Sequence, residues 1–208
     1  MSSLASERAR YWDEVYERAG ATNVSWYQPD PSASVEMIRG LGVSADSAII
    51  DVGGGASNLV DAFMALGLRD LTVLDVSGAA LDAARDRLGE RARGVTWVHA
   101  DLLAWEPPRR FDVWHDRAVL HFLVDDQDRV RYRELARRAV RAGGHLVIGT
   151  FALDGPPHCS GLPVKGYDPE GILKDMGEGF DLVDGRRDMH TTPAGADQPF
   201  SWALLRTQ

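Results

Sequence analysis

A short apolar run that stops at three consecutive glycines constrains this chain more than any other feature. Residues 48–52 are mostly apolar and β-branched, and Gly53, Gly54 and Gly55 follow. Leu59, Phe63 and Leu66 then recur at the spacing of one helix face. This pattern predicts a strand, a tight turn and a helix. Glycines in such a turn accept positive φ and let a ligand approach the backbone without a Cβ atom in the way. The N–H groups at the start of the helix remain available to that ligand.

The turn differs from two common nucleotide-binding loops. A dinucleotide fingerprint has glycines at its first, third and sixth positions, but Asn58 occupies the sixth position here. A phosphate-binding loop ends in Gly-Lys-Ser/Thr, and this turn contains no lysine. Asp51 at the end of the strand suits a ligand that carries an amine and repels a phosphate. A nicotinamide-dependent dehydrogenase is therefore disfavoured but stays an alternative, as does a non-catalytic binding module.

Five apolar segments alternate with helical patterns, which predicts a parallel sheet with helices on both faces. Four of them end in a carboxylate, at Asp51, Asp75, Asp101 and Asp116. Ligands of such sheets bind beyond the carboxyl ends of the strands. These acids therefore predict a polar crescent for a cationic ligand with an amine and a ribose. Asp75 lies about 20 residues beyond the glycine turn, where a ribose-binding carboxylate is expected. Its alternative role is to cap the next helix.

Further element bounds follow from periodicity and from turn residues. Helices are predicted at residues 6–19, 32–41, 78–88 and 125–141, and Gly143 and Gly144 are expected to end the last of these. Asp168 and Pro169 predict the start of another short helix. A fifth strand is expected at 145–151, a loop at 153–167, and an antiparallel pair around Phe180 and Phe200.

In this order, the motifs resemble those of class I S-adenosylmethionine-dependent methyltransferases. The likeness extends from Tyr11 to Arg206 and includes the Asp-x-Gly-x-Gly turn, the strand ends at Asp75 and Asp101, and the Phe-Asp-x-Trp-His-Asp run at 111–116. It implies an α/β fold, a doubly wound, mostly parallel seven-stranded sheet with an antiparallel C-terminal strand pair, the Rossmann-like methyltransferase fold. It also implies a single domain over residues 1–208, in which residues 1–42 form an N-terminal helical lid.

The resemblance implies S-adenosyl-L-methionine as the cofactor and S-adenosyl-L-homocysteine as its product. Gly53 and Gly55 would line the methionine portion, Asp75 the ribose and Asp101 the adenine. The full set expected at the cofactor is Asp51, Gly53, Gly54, Gly55, Asp75, Val76, Asp101, Leu102 and Asp116.

The acceptor side of the site depends on less specific residues. His121, just beyond the fourth strand, is the candidate general base, with a structural histidine as the alternative. The candidate substrate or lid residues are Trp12, Tyr16, Trp26, Tyr27, His158 and His190. No metal is expected, because the histidines and Cys159 match no zinc spacing.

The expected reaction is methyl transfer to a small-molecule nucleophile through nitrogen, oxygen or sulfur. The N-terminal aromatic residues, from Tyr11 to Trp26, also resemble the opening of protein-lysine methyltransferases, so that class is the alternative. The segment after strand four differs from the motif of the lysine-directed families, which favours a small molecule.

Charge and composition bound the partners. A net charge of −8 argues against binding to nucleic acid phosphates. No apolar run approaches the roughly 20 residues of a membrane span, and the first ten residues lack the apolar core of a signal sequence. The single cysteine, Cys159, suits a reducing compartment. These features predict a cytoplasmic protein, and the oligomeric state stays open.

Overall fold

A computed structural model describes residues 3–208, with side chains from Ala5 onward. The first two residues of the predicted domain and lid, Met1 and Ser2, lie outside the described residues. The helices are α1 (Ser3–Ala19), α2 (Ser32–Gly40), α3 (Leu59–Ala65), α4 (Gly78–Leu88), α5 (Asp126–Ala139) and α6 (Pro169–Met176). The strands are β1 (Ile49–Val52), β2 (Leu71–Asp75), β3 (Val95–His99), β4 (Phe111–Arg117), β5 (Val140–Phe151), β6 (His158–Cys159), β7 (Leu162–Pro163), β8 (Phe180–Thr191) and β9 (Asp197–Thr207).

Seven strands form one sheet in the order β3-β2-β1-β4-β5-β9-β8. The first five strands in this order run parallel, whereas β9 is antiparallel to β5 and β8 is antiparallel to β9. The predicted fold class is therefore confirmed. The strand order reverses between β1 and β4, and sheets of this type bind ligands beyond such a reversal.

The parallel strands are buried on both faces, so their residues alternate between two cores. Ile50 and Trp114 point into the core beneath α5 and α6, together with Tyr132 and Ile172. Ile49 and Val113 point into the core beneath α2 and α3, which Ile38 and Phe63 fill. This alternation fixes the face on which each polar side chain at a strand end emerges.

The predicted end of the long helix is wrong. Helix α5 ends at Ala139, and β5 begins at the β-branched, buried Val140, which pairs with Phe111. Gly143 has φ +73° and lies within the strand, where the register with β4 shifts. A Cβ atom on Gly144 would lie only 2.9 Å from the carbonyl oxygen of Arg141. The glycine pair therefore accommodates a bulge instead of ending a helix.

The predicted loop at 153–167 contains the short hairpin of β6 and β7. The predicted cap of α6 is confirmed, since Asp168 Oδ1 accepts a hydrogen bond from Gly171 N–H at 2.7 Å. Within the described part of the chain, no helix has the length and apolar character required to cross a bilayer.

Candidate cofactor and acceptor site

Two adjoining cavities lie at the carboxyl ends of β1, β2 and β4. The larger has a volume of about 260 Å³ and the smaller about 40 Å³. Gly53, Tyr16, Trp26 and Arg117 line both cavities and so form the partition between them. The predicted residues that line the larger cavity are Trp12, Tyr16, Trp26, Gly53, Asp75, Val76, Asp101 and Leu102. The smaller cavity is lined by Asp51, Gly53, Gly54, Tyr16, Trp26 and Tyr27.

The glycine turn packs closely against two carboxylates. A Cβ atom on Gly54 would lie 2.5 Å from Asp51 Oδ2, and one on Gly55 would lie 2.8 Å from Asp75 Oδ2. Gly53 and Gly55 have φ values of +66° and +42°, which disfavour any residue with a side chain. The turn therefore requires glycine for two reasons: its backbone has positive φ, and neighbouring side chains already occupy the space that a Cβ atom would need.

Asp75 ends β2 in an almost fully buried position at the rim of the larger cavity. Its Oδ1 atom accepts a hydrogen bond from Ser77 N–H at 2.8 Å. Ser77, and not Asp75, caps α4, because its side chain accepts from Ala80 N–H. Burial raises the pKa of Asp75 to about 7, with a smaller contribution from the charge of Asp51. Hydrogen bonds from a ligand to this carboxylate would therefore stabilise its ionised form.

Asp101 lies across the larger cavity and begins a short 3₁₀ turn, where it accepts from Leu103 N–H. Arg8 of α1 donates to Asp101 Oδ2 at 3.1 Å and to Asp128 Oδ2 at 3.0 Å. The N-terminal helix is thus joined by one side chain to the end of β3 and to the start of α5. Sequence reasoning missed Arg8, because a single arginine on a helix carries no signal for a partner far along the chain.

Aromatic residues close the larger cavity on the side away from the sheet. Trp12 makes edge-to-face contacts with Trp26 and Phe122, with ring centroids 5.6 Å and 5.2 Å apart. The Trp26 indole donates to the Tyr16 hydroxyl at 3.1 Å. Cys159, Leu162 and Pro163 of the β6–β7 hairpin complete the lining. The wall is apolar, whereas the strand ends opposite it carry the carboxylates.

Helix α1 is held to the sheet domain by polar contacts as well. Asp13 Oδ1 accepts from the Ser77 hydroxyl at 2.7 Å and from Ala79 N–H at 3.0 Å, at the start of α4. The loop after α1 is bound by Asn58, whose side-chain amide donates to the carbonyl oxygen of Gln28 at 3.0 Å. The residue that breaks the dinucleotide fingerprint therefore fastens the N-terminal segment to the glycine turn.

Comparison with known proteins identifies this arrangement. A family described as "Methyltransferase domain" matches residues 49–144, which contain β1, the glycine turn, Asp75 and Asp101. The chain is an S-adenosylmethionine-dependent methyltransferase and resembles the class I family of these enzymes.

Two similar solved structures cover almost the whole methyltransferase fold. The N-methyltransferase NodS from Bradyrhizobium japonicum, in complex with S-adenosylhomocysteine, has a TM-score of 0.72 at 20% identity, over 94% of this chain and 97% of that one. The 1,6-didemethyltoxoflavin-N1-methyltransferase of Burkholderia thailandensis has a TM-score of 0.68 at 21% identity, over 99% of this chain and 87% of that one.

A curated relative has a different kind of acceptor in its name. The eEF1A lysine and N-terminal methyltransferase of Mus musculus is 24% identical over 151 residues, which are 71% of this chain and 21% of that protein. This methyltransferase chain thus spans about a fifth of the length of that relative.

The site of this methyltransferase fits S-adenosylmethionine in its donor groups. Gly53 lines both cavities and Gly54 lines the smaller one, and Asp75 presents a carboxylate at the rim of the larger cavity. Asp51, Asp75 and Asp101 all reach a cavity, which suits a ligand with an amine and several hydroxyl donors. S-adenosylmethionine is accordingly the cofactor of this methyltransferase.

The prediction that Asp116 faces the ligand is wrong. Asp116 is fully buried on the α5 side of the sheet and lines neither cavity. Its carboxylate accepts from Val119 N–H at 2.8 Å, from Leu120 N–H at 3.1 Å and from the Tyr132 hydroxyl at 2.6 Å. Asp116 therefore shapes the segment after β4 from within the core of the methyltransferase.

The prediction that His121 is a general base does not agree with its position. His121 is fully buried between Phe122 and Phe151 and lines neither cavity. Phe151 N–H donates to its Nδ1 atom at 3.3 Å. Burial, with a smaller contribution from the charge of Arg117, lowers the pKa of His121 to about 3. It is a neutral core residue behind the cavity wall.

Two of the other predicted histidines also lie outside the cavities. His158 is exposed on β6, and His190 Nε2 contacts the carbonyl oxygen of Ser25 at 2.7 Å, which links β8 to the N-terminal loop. Among the described residues, no group of three or more His, Cys, Asp or Glu side chains could hold a metal ion. His115, another candidate base by sequence, joins Asp51 to Ser34, with distances of 2.7 Å and 2.9 Å.

Proposed function

We propose that this methyltransferase transfers the methyl group of S-adenosylmethionine to a small-molecule nucleophile through nitrogen, oxygen or sulfur. The larger cavity carries the proposal, because aromatic side chains of α1 and its following loop line it opposite the strand ends. A wall made of Trp12, Trp26 and Phe122 suits a compact and partly apolar acceptor.

Within this proposal, the strand ends hold the cofactor. Asp75 accepts hydrogen bonds from the ribose hydroxyls, and the turn at Gly53, Gly54 and Gly55 receives the methionine portion beside Asp51. Asp101 and the backbone of Leu102 bind the adenine. The support is that all of these residues except Gly55 line the two cavities, and that Asp101, Asp75 and Asp51 lie at or near the carboxyl ends of the neighbouring strands β3, β2 and β1 in the sheet. Gly55 lies directly beside Asp75, because a Cβ atom on it would be 2.8 Å from Asp75 Oδ2.

When bound, S-adenosylmethionine supplies a methyl group that its sulfonium already activates. The residues of the chain then need to align the acceptor and keep water out. We assign that task to residues 1–42 as a lid on a single domain, with Trp12, Tyr16, Trp26 and Tyr27 on its inner side. Burial raises the pKa of Cys159 to about 11, and burial also raises the pKa of Tyr16. Both groups are protonated at neutral pH, so neither serves as a general base for the acceptor.

A protein acceptor is the second candidate, since the mouse relative is named a lysine and N-terminal methyltransferase. The small-molecule proposal has more support in the structural neighbours, whose names include a 1,6-didemethyltoxoflavin-N1-methyltransferase. The acidic charge of −8 argues against a nucleic acid acceptor. The single cysteine supports a cytoplasmic location.

A competition assay would test the acceptor class. Purified protein is given S-adenosylmethionine with a labelled methyl group, together with pools of small amines, phenols and thiols, or with lysine-containing and free N-terminal peptides. We expect label in a small-molecule pool and none in the peptides. The Asp75→Ala variant is the inactive control, and label in peptides alone would refute the proposal. Trp12→Ala should raise the KM of the acceptor more than the Kd of S-adenosylhomocysteine.

A further inference from the structure

We propose that Arg117 binds a carboxylate group at the partition between the two cavities. The proposal rests on the proposed function in that either the cofactor or the acceptor supplies the carboxylate. It adds a binding residue that neither the sequence motifs nor the family resemblance assigns. Arg117 ends β4 and lines both cavities, together with Trp26, Tyr16 and Gly53.

The guanidinium group of Arg117 is only partly used by the protein. Its Nη1 atom donates to the carbonyl oxygen of Trp26 at 3.0 Å, and the group stacks on Phe200 with its central carbon 4.4 Å from the ring centroid. Its Nε and Nη2 atoms are buried and have no hydrogen-bond partner. The protein therefore uses Nη1 and one face of the guanidinium group, whereas Nε and Nη2 have no acceptor.

Buried donor atoms without an acceptor destabilise the folded protein unless a ligand supplies the acceptor. A buried charged group that lacks hydrogen-bond partners loses hydration that nothing replaces. Arg87 shows the usual solution in this chain, because it donates to the carbonyl oxygens of Ala56 and Ser57 and to Asp61. Arg117 lines both cavities, is held by its stacking and by one hydrogen bond, and keeps two nitrogens without a partner, so it is prearranged for an added acceptor.

Other arginines with one buried, unpartnered nitrogen do not share this position. Arg133, Arg137 and Arg186 each leave only Nε without a hydrogen-bond partner, and none of them lines either of the two cavities. Arg117 has two such nitrogens and borders both cavities. The combination of orphaned donors and a place in the cavity wall singles it out.

The surroundings favour a carboxylate over a phosphate. Asp51 lines the smaller cavity and acts on Arg117 through its charge, as Asp188 does from β8. These acids would repel a doubly charged group, whereas a single carboxylate offers two acceptor atoms to the guanidinium fork. Asp51 would also attract an amine next to that carboxylate. Burial lowers the pKa of Arg117 to about 10, which leaves the group charged at neutral pH.

The carboxylate has two possible sources, which binding measurements separate. The first is the amino acid end of the cofactor, and the second is an acidic acceptor in the larger cavity. The variants are Arg117→Met, which removes the charge, and Arg117→Lys, which keeps the charge but loses the fork. Arg186→Met is the matched control, since Arg186 also has a buried, unpartnered Nε but lies outside the cavities. Thermal unfolding without ligand first establishes that each variant is folded.

In the first arm, calorimetry compares S-adenosylhomocysteine with its decarboxylated analogue. If the cofactor is the source, Arg117→Met lowers the affinity for S-adenosylhomocysteine by about 10- to 100-fold and leaves the affinity for the analogue unchanged. In the second arm, benzoate and benzamide are titrated into protein saturated with S-adenosylhomocysteine. If an acceptor is the source, the wild type prefers benzoate, and Arg117→Met removes that preference.

Either selective loss supports the proposal and names the source. Arg117→Lys should retain part of the affinity in the same arm, and Arg186→Met should match the wild type. The proposal is overturned if Arg117→Met lowers the affinities for S-adenosylhomocysteine and its analogue equally, or if it changes no affinity in either arm. The measurements need no turnover, so failure of the proposed methyl transfer to small molecules would not be mistaken for failure at Arg117.

Discussion

Val119 occupies the space that a side chain on Gly53 would need. A Cβ atom on Gly53 would collide with Val119 Cγ2, and Gly53 already has φ +66°. Ala118, just before Val119, has the positive φ of +74°. The glycine turn after β1 and the segment after β4 therefore interlock directly at the cavity that both of them line.

This contact predicts the behaviour of a minimal substitution, Gly53→Ala. We expect the methyl group to push Val119 outward and to strain the backbone, so that affinity for S-adenosylhomocysteine falls by about tenfold or more. Calorimetry would measure the affinity. Gly67→Ala is the matched control, because Gly67 has φ +80° but no atom within 4 Å of the added Cβ position. It should lose stability without losing affinity. Equal affinity losses in both variants would contradict the steric explanation.

The raised pKa of Asp75 predicts pH-dependent cofactor binding. Ligand hydroxyls donate better to the ionised carboxylate, so binding favours the deprotonated form. With a pKa of about 7 in the free protein, affinity should rise as the pH increases from 5 to about 7 and then level off. Calorimetry across this range would show the dependence, and proton release should accompany binding below pH 7.

Two variants separate the charge of Asp75 from its shape. Asp75→Asn should flatten the pH dependence between 5 and 8. Asp75→Ala should lower cofactor affinity by at least about tenfold, because charge-assisted hydrogen bonds are worth about 1.5–3 kcal/mol each. Unchanged affinity in a folded Asp75→Ala protein would remove Asp75 from the site.

The ion pairs of Arg8 with Asp101 and Asp128 hold α1 against the larger cavity, which predicts that their loss loosens the proposed lid. Cofactor binding should slow amide hydrogen exchange over residues 11–28 as well as at the glycine turn. Arg8→Met should speed exchange in that segment by about two- to five-fold, because partly exposed ion pairs contribute about 0.2–1 kcal/mol. Arg10→Met is the control, since Arg10 is exposed and pairs only weakly with Glu14 on the same helix.

Deletion of residues 1–29 tests the same lid more severely. We expect a folded sheet that binds the cofactor weakly and transfers methyl poorly, because water enters the site. If exchange in residues 11–28 is equally slow with and without S-adenosylhomocysteine, and deletion unfolds the protein, these residues cap the core and do not form a lid.

His121 predicts a stability effect instead of a catalytic one. Its pKa is about 3 in the folded state and about 6.5 when unfolded, so the unfolded state binds the proton first. The contribution of neutral His121 to stability is therefore complete above pH 6.5 and is lost as the pH falls toward 3. Urea unfolding at pH 7 and pH 5 should show that His121→Leu reduces the acid loss by on the order of 2 kcal/mol. His158→Leu is the control for removal of a histidine, and an equal acid loss in the wild type and His121→Leu would contradict the buried position.

The parallel strand segments, the glycine turn and the places of Asp51 and Asp75 at strand ends could be predicted from the sequence because they depend on local patterns. Apolar runs of strand length, glycines that require positive φ and an acid at a strand end act over a few residues. The alternation of side chains along a strand could also have shown which acids lie on which face of the sheet. Asp51 and Asp75 lie on the α2 and α3 face, whereas Asp116 lies two residues after Trp114 on the α5 face.

Only the tertiary structure decided which distant groups meet. The ion pairs of Arg8 join residues far apart in the chain, and the burial of His121 depends on Phe122 and Phe151 packing around it. The pKa of His121 and the unsatisfied donors of Arg117 follow from that packing, since desolvation depends on every element that surrounds a group. The sequence by itself determined where the chain turns and where its carboxylates emerge, because backbone conformation is set locally. The tertiary structure determined which side chains face the cavity and which face the core, because the elements that pack around a side chain decide whether it is buried.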